Sequence, residues 1–255
     1  MSTFTKTASL LRHWVWIAPI VVGVAFIAAG GYMVSEGRSA HGDVRDSVVQ
    51  EDITVSADAP DFGGETIDSP AKADAQAAAI LEHTLAGSGG YLYAGLGSFL
   101  LPEGNYALPK GTFMTEAGDT TTDETLAAKD ADGKAINMTT DESLAARDSK
   151  DVAIRGWTSD RALAATDANG NPVPNPLRTT ALTSANLRTS LGVATMGFKV
   201  ADLVVGLGLF LAVMGVMTIF IMSPVTYWAT VVADEHERNR QTAAAKEIAQ
   251  GGQRA

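Results

Sequence analysis

The 255-residue chain contains no cysteine, only four histidines, and aromatic side chains at 7% of its positions. Without cysteine there is no disulfide, no thiolate nucleophile, and no zinc or iron–sulfur site built on sulfur. His13 and His236 flank the rest of the chain, so only His41 and His83 lie between the apolar bands described below, and no motif surrounds either. Neither a nucleophile elbow nor a phosphate-cradling glycine loop is present. These absences point away from an enzyme and call for no cofactor. Basic residues are scarce as well, 19 against 29 acids. Nucleic acid is excluded as a partner, because nothing in so acidic a chain would neutralise phosphates.

Charge is missing from two bands. Residues 14 to 34, "WVWIAPIVVGVAFIAAGGYMV", have none, and at about 1.5 Å per residue they make roughly 30 Å of helix, enough to cross a bilayer core. Residues 199 to 222 form the second band, with Lys199 and Asp202 at its start, spaced to pair along a helix. The first band is longer than the apolar region of a cleaved signal and reads as an uncleaved signal anchor. Pro19 is expected to bend the first span, and Pro224 to end the second. Small residues Gly208, Ala212 and Gly215 in the second, and Ala25 with Ala29 in the first, have the spacing that lets helices approach closely.

Between the spans, residues 35 to 198 hold 24 of the 29 acids and 12 of the 19 bases. Near the spans, Lys6, Arg12, Arg238, Arg240 and Lys246 lie on the tails, and Arg38, Arg45, Arg188 and Lys199 on the insert side. With Trp14, Trp16, Tyr227 and Trp228 at one interface, this bias predicts a plasma-membrane protein with residues 1 to 13 and 223 to 255 in the cytoplasm and residues 35 to 198 outside.

Helical spacing of Gly37, His41, Val44 and Val48 carries the first helix out to about Gln50. A stripe of Leu187, Leu191, Ala194, Phe198, Ala201 and Val205 runs into the second span. The two helices are therefore expected to extend as an antiparallel stalk. His41 lies on its packing stripe, with a proton-sensitive or ligand role as the alternative. A third helix is expected over residues 70 to 86: Ser69 suits the cap, Pro70 the first turn, and Gly87 a left-handed exit. His83, near its end, would favour the helix dipole. Next, "YLYAGLGSFLLPEG" is apolar but too short to span; it suits buried core, an interfacial segment or a docking surface.

Residues 121 to 175 contain a triplication. Its frame is Asp123, Leu126, Asp130, Ile136; then Asp141, Leu144, Asp148, Ile154; then Asp160, Leu163, Asp167, Val173, with steps of 18 and 19 residues. "DADG" and "DANG" are turn signals, so each copy reads as strand, turn and strand, with Leu and the aliphatic residue as the packing frame. Thr121 with Glu124 has capping-box spacing, which would instead make a short helical turn. Asp130, Asp132 and Asp167 are weak calcium candidates: Lys150 interrupts the second copy, and no copy supplies the spaced glutamate that a calcium loop needs.

"EGRSAHGDVRDSVVQEDITVS", "SPAKADAQAAAILEHTL" and "LRTTALTSANLRTSLGVATMGFKVADLVVGLG" resemble a group of two-span actinobacterial membrane proteins, some labelled aromatic ring-opening dioxygenases. The resemblance implies the spans and the capped helix; the ligand set of such a dioxygenase is not visible in this chain. The fold expected is a mainly α membrane protein whose insert combines one capped helix with strand–turn repeats. Its expected role is to present an acidic exterior domain to another membrane or envelope protein, or to copies of itself. The alternative is an exterior domain that senses a small ligand or cation.

Overall fold

A computed structural model describes residues 15–130 and 132–251. Lys6, Arg12, His13 and Trp14 lie outside the described residues. Two helices are long and apolar enough to cross a membrane, falling within Val15–Gln50 and Pro176–Ala243. The chain divides into two compact units, one of Val44–Met196 and the other of the segments up to Asp43 and from Gly197 onward.

In the second of these units, helix α1 (Ala18–Gln50) supplies residues 18–43 and helix α3 (Pro176–Met217) residues 197–217. The helices run antiparallel on a glycine seam of seven-residue period. Gly23 faces Gly215, Gly30 faces Gly208 and Ala212, and Gly37 faces Ala201 and Val205. A Cβ added at Gly30 would lie 2.4 Å from the Gly208 carbonyl oxygen, and one at Gly215 would lie 2.5 Å from that of Gly23. Backbone therefore touches backbone, which is how small residues hold helices where no hydrophobic drive acts between them. Gly208 and Ala212 fall on the seam as expected. Ala25 and Ala29 do not: both are exposed, because a heptad seam on α1 selects positions 23, 30 and 37 and turns 25 and 29 away.

The prolines also behave differently from expectation. Pro19 sits in the first turn of α1, where no intrahelical N–H is needed, so it starts that helix. Pro224 does not end its helix. A π-helical turn at Thr218–Met222 takes up the missing bond, and helix α4 (Ser223–Gly251) continues. Trp16 packs edge-on against Tyr227 with ring centroids 6.3 Å apart, and the Ser223 hydroxyl donates to the Trp16 carbonyl at 3.4 Å.

In Val44–Met196, helix α2 (Pro70–Gly87) begins at Pro70 as expected, with Ser69 extended at the N-cap position, although the Ser69 side chain makes no capping hydrogen bond. The left-handed exit falls at Gly89 and Gly90 instead of Gly87. Ala73 of α2 packs with Val55, Ile67 and Leu191, while Val48, Ile53 and Ile80 close the cluster. His83, near the end of α2, has its Nε2 2.6 Å from the Asp58 carboxylate, which this hydrogen bond holds below the usual range.

The rest of this unit is a ladder of two arms. Residues 99–105, 106–112 and 113–119 are three seven-residue steps, "FLLPEGN", "YALPKGT" and "FMTEAGD". Each opens with a two-residue strand: β1 (Phe99–Leu100), β2 (Tyr106–Ala107), β3 (Phe113–Met114). The triplicated segment returns as β4 (Thr120–Thr121), β5 (Met138–Thr139) and β6 (Trp157–Thr158). Pairing is antiparallel and nested: β3 with β4, β2 with β5, β1 with β6. In every rung the aromatic residue that opens a step faces a threonine, Phe99 to Thr158, Tyr106 to Thr139 and Phe113 to Thr121. Each step turns at its sixth residue, where Gly104, Gly111 and Gly118 have φ of 82°, 82° and 91°, a conformation that favours glycine.

The core of this ladder is built from Tyr91, Leu96, Ala107, Ala146, Ile154, Trp157 and Ala181. Of the short apolar segment, Tyr91 and Leu96 are therefore buried core, while Leu92 and Tyr93 stay exposed. Tyr91 meets Trp157 edge-on at 4.9 Å and donates its hydroxyl to the Leu108 carbonyl.

Candidate functional site

The three copies fold alike at their acidic turns. Asp130 Oδ1 accepts the N–H groups of Asp132 and Lys134 at 3.0 and 2.8 Å. Asp148 Oδ1 accepts those of Lys150 and Val152 at 2.8 and 2.9 Å. Asp167 Oδ1 accepts those of Asn169 and Asn171, both at 2.8 Å. Each side chain closes a hairpin whose single bridge is Lys129 to Ala135, Arg147 to Ala153, or Thr166 to Pro172. The backbone N–H donors hold the Asp148 and Asp167 carboxyls below the ordinary range.

One turn earlier, Asp123 and Asp141 take both the hydroxyl and the N–H of Thr125 and Ser143, and the hydroxyl bond is the larger cause of their lowered pKa. Here the aspartate caps a tight turn, 3-10 in the second copy at Glu142–Leu144. Thr121 does not form the capping box considered as the alternative: its hydroxyl accepts from the Asp123 N–H. Each copy thus has a tight turn followed by a hairpin, and in the second copy the tight turn is a short helical one.

The calcium candidates Asp130, Asp132 and Asp167 stand on these turns, the first and last with one oxygen already taken by two N–H donors. Among the described residues, no group of three or more His, Asp or Glu side chains is gathered as a metal site. The expected packing frame holds at Ile154, which is buried, and fails at two of its leucines. Leu126 and Leu163 are 64% and 60% exposed, while the alanines Ala127, Ala145 and Ala146 are buried. The cause is the rung geometry. Ala128, Ala146 and Ala165 donate to the carbonyls of Met114, Ala107 and Leu100 at 2.7, 2.7 and 2.8 Å, so small residues face the opposite arm and the leucines point outward.

Of the helix residues singled out from sequence, Leu191 and Phe198 are buried and Leu187 is not, at 47% exposure: it precedes Leu191 by a turn but falls off the covered side. His41 is half-buried and stacks tilted on Phe198, ring centroids 4.9 Å apart, with its Nε2 3.9 Å from Asp202. Lys199 is exposed. These contacts pack the helix pair and gather no reactive constellation.

A cleft of about 450 Å³, marked by no sequence motif, opens between the first and third copies. The loop through Gly95 and Gly97 forms one wall. Lys134 and Asp130 come from the first copy, Trp157 and Ser159 from the third, and Arg178 from the first turns of α3. Asn175 fixes that turn: its Oδ1 accepts the Leu177 N–H and its Nδ2 donates to the Gly97 carbonyl, both at 3.0 Å. Arg178 lies over the Tyr93 ring, 4.2 Å from the centroid, and donates to the Leu96 carbonyl. Trp157 donates its indole N–H to the Gly95 carbonyl at 3.1 Å. The one available signal was Trp157 itself, standing where the other copies have Thr120 and Met138.

No family model matches the chain, and neither a curated protein nor a solved structure matches it.

Proposed function

We propose that this is a non-enzymatic, membrane-anchored protein of the bacterial envelope. It holds the unit Val44–Met196 outside the cell, for assembly with another membrane protein or with further copies of itself. The observation that supports this most is the pair of apolar helices bracketing a folded unit, Val44–Met196, that holds 22 of the 29 acids of the chain. The repeated outward leucines, Leu126 and Leu163, at matching positions of two rungs, add apolar surface of the kind that association uses.

A photo-crosslinking residue placed at Leu126 or Leu163 in native membranes tests the reading. One reproducible adduct, to a second copy or to one membrane protein, is expected at both positions and absent at exposed Glu116. Recovery of uncrosslinked monomer from every position would overturn it. Alkaline phosphatase fused after residue 255 is expected to be inactive and a green reporter there fluorescent, which checks the orientation.

A further inference from the structure

We infer that the cleft between the first and third copies binds a small organic monocarboxylate with an apolar body. The inference goes beyond the assembly reading and does not depend on which side of the membrane the unit occupies.

Its ground is the charge gathered in one cleft of an otherwise acidic segment. Between residues 35 and 198 acids outnumber bases two to one, yet this cleft is lined by two cations, Lys134 and Arg178, and by one carboxylate, Asp130. Arg178 is also held in place. Tyr93 supports its guanidinium plane and the Leu96 carbonyl takes one N–H, leaving donors of a five-donor fork that suits a carboxylate. Holding the fork beforehand lowers the ordering cost of binding.

The remaining wall chemistry narrows the ligand. Leu101, Met138 and Leu163 supply apolar surface for a hydrocarbon body, and the volume falls in the range of small-molecule sites, roughly 300–1,000 Å³. Asp130 also lines the cleft, with one oxygen tied to the Lys134 N–H. Two cations against one carboxylate leave a single positive charge, which suits a monoanion and disfavours a phosphate or a dicarboxylate.

The test uses the full chain in lipid nanodiscs, labelled with 5-fluorotryptophan, the Trp157 resonance being assigned from Trp157→Phe. Phenylacetate is titrated as the probe, with 2-phenylethanol and 2-phenylethylamine as uncharged and cationic controls of the same body. A saturable shift at Trp157 is expected with phenylacetate alone, weakened at least tenfold in Arg178→Gln and in Lys134→Gln and unchanged in Lys150→Gln. Because Arg178 also braces the Leu96 loop, the exposed Lys134 carries the decision. Two results would each overturn the inference: no saturation by roughly 10 mM, which is binding weaker than about 3 kcal/mol, or a matching response to either control. Undiminished binding by Lys134→Gln would do the same.

Discussion

Gly30→Leu is expected to force α1 and α3 apart in the unit that holds the glycine seam. A Cβ at position 30 meets the Gly208 carbonyl oxygen at 2.4 Å and the Ala212 amide nitrogen at 2.7 Å, so the obstruction is backbone and no rotamer relieves it. Overpacking a well-filled interior costs about 1–3 kcal/mol when side chains can adjust; here the helices themselves must move, so the loss should exceed that range. The cysteine-free chain gives a clean background for spin labels at exposed Ser35 and Leu203. Their distance distribution in nanodiscs should lengthen and broaden in Gly30→Leu. Gly31→Leu is the matched control, since a Cβ at Gly31 meets nothing within 4 Å. An unchanged distribution for Gly30→Leu, or an equal change for Gly31→Leu, would rule out the seam as what holds the pair.

Removal of residues 106–112 alone is expected to unfold the ladder, whereas removing them together with residues 137–155 should leave a shorter, folded one. The middle rung is β2 with β5, and it is closed by the Ala107 N–H donating to Ile154 and the Ala146 N–H donating to Ala107. Deleting only the forward step slides β1 opposite a copy whose spacing no longer matches, and a slipped register turns inward-facing side chains outward. The paired deletion takes away both halves of one rung, and Ile136 then leads directly to Gly156, as it now leads to Asn137. Ala107, Ala146 and Ile154 leave the core, so a lowered melting temperature is expected, but with a cooperative transition. Circular dichroism with thermal melts distinguishes the outcomes. A single deletion as stable as the paired one would show that the arms do not depend on each other.

Sequence carried some of this structure plainly and hid the rest for identifiable reasons. The long helices were legible because uncharged runs have few other uses, and α2 because Ser69 and Pro70 mark a helix start. The acidic turns were legible because three aspartates stand at one spacing, although they serve backbone donors. Of the forward arm, Tyr106 and Phe113 with Pro and Gly at turn spacing read as short strands and turns, which β2 and β3 bear out, but its period did not show. Its seven-residue steps share little beyond an aromatic first residue and a glycine sixth, too short a unit for hydrophobic period to reveal. Burial in the copies was misjudged at Leu126 and Leu163, because hydrophobicity ranks leucine above alanine while a close rung admits only the smaller. The glycine seam was half visible, since Gly208 was found and its partner Gly30 was hidden among neighbouring small residues. The cleft escaped altogether, because Lys134, Trp157 and Arg178 meet only through the nesting of the arms.

Nesting also sets the order in which the ladder closes. Phe113 and Thr121 are eight residues apart, Tyr106 and Thr139 are 33, and Phe99 and Thr158 are 59. The entropy lost in joining two chain positions rises with the logarithm of the intervening length, and each rung already made shortens the free loop that the next must close. Folding should therefore run like a zipper from the tip at Asp119 toward the base at Asn175, the last rung using the first and last residues of the arms. In pulse-labelled hydrogen exchange during refolding, the Ala128 amide should gain protection before Ala146, and Ala146 before Ala165. Protection of Ala165 first would mean that the base, packed around Tyr91 and Trp157, nucleates instead of the tip.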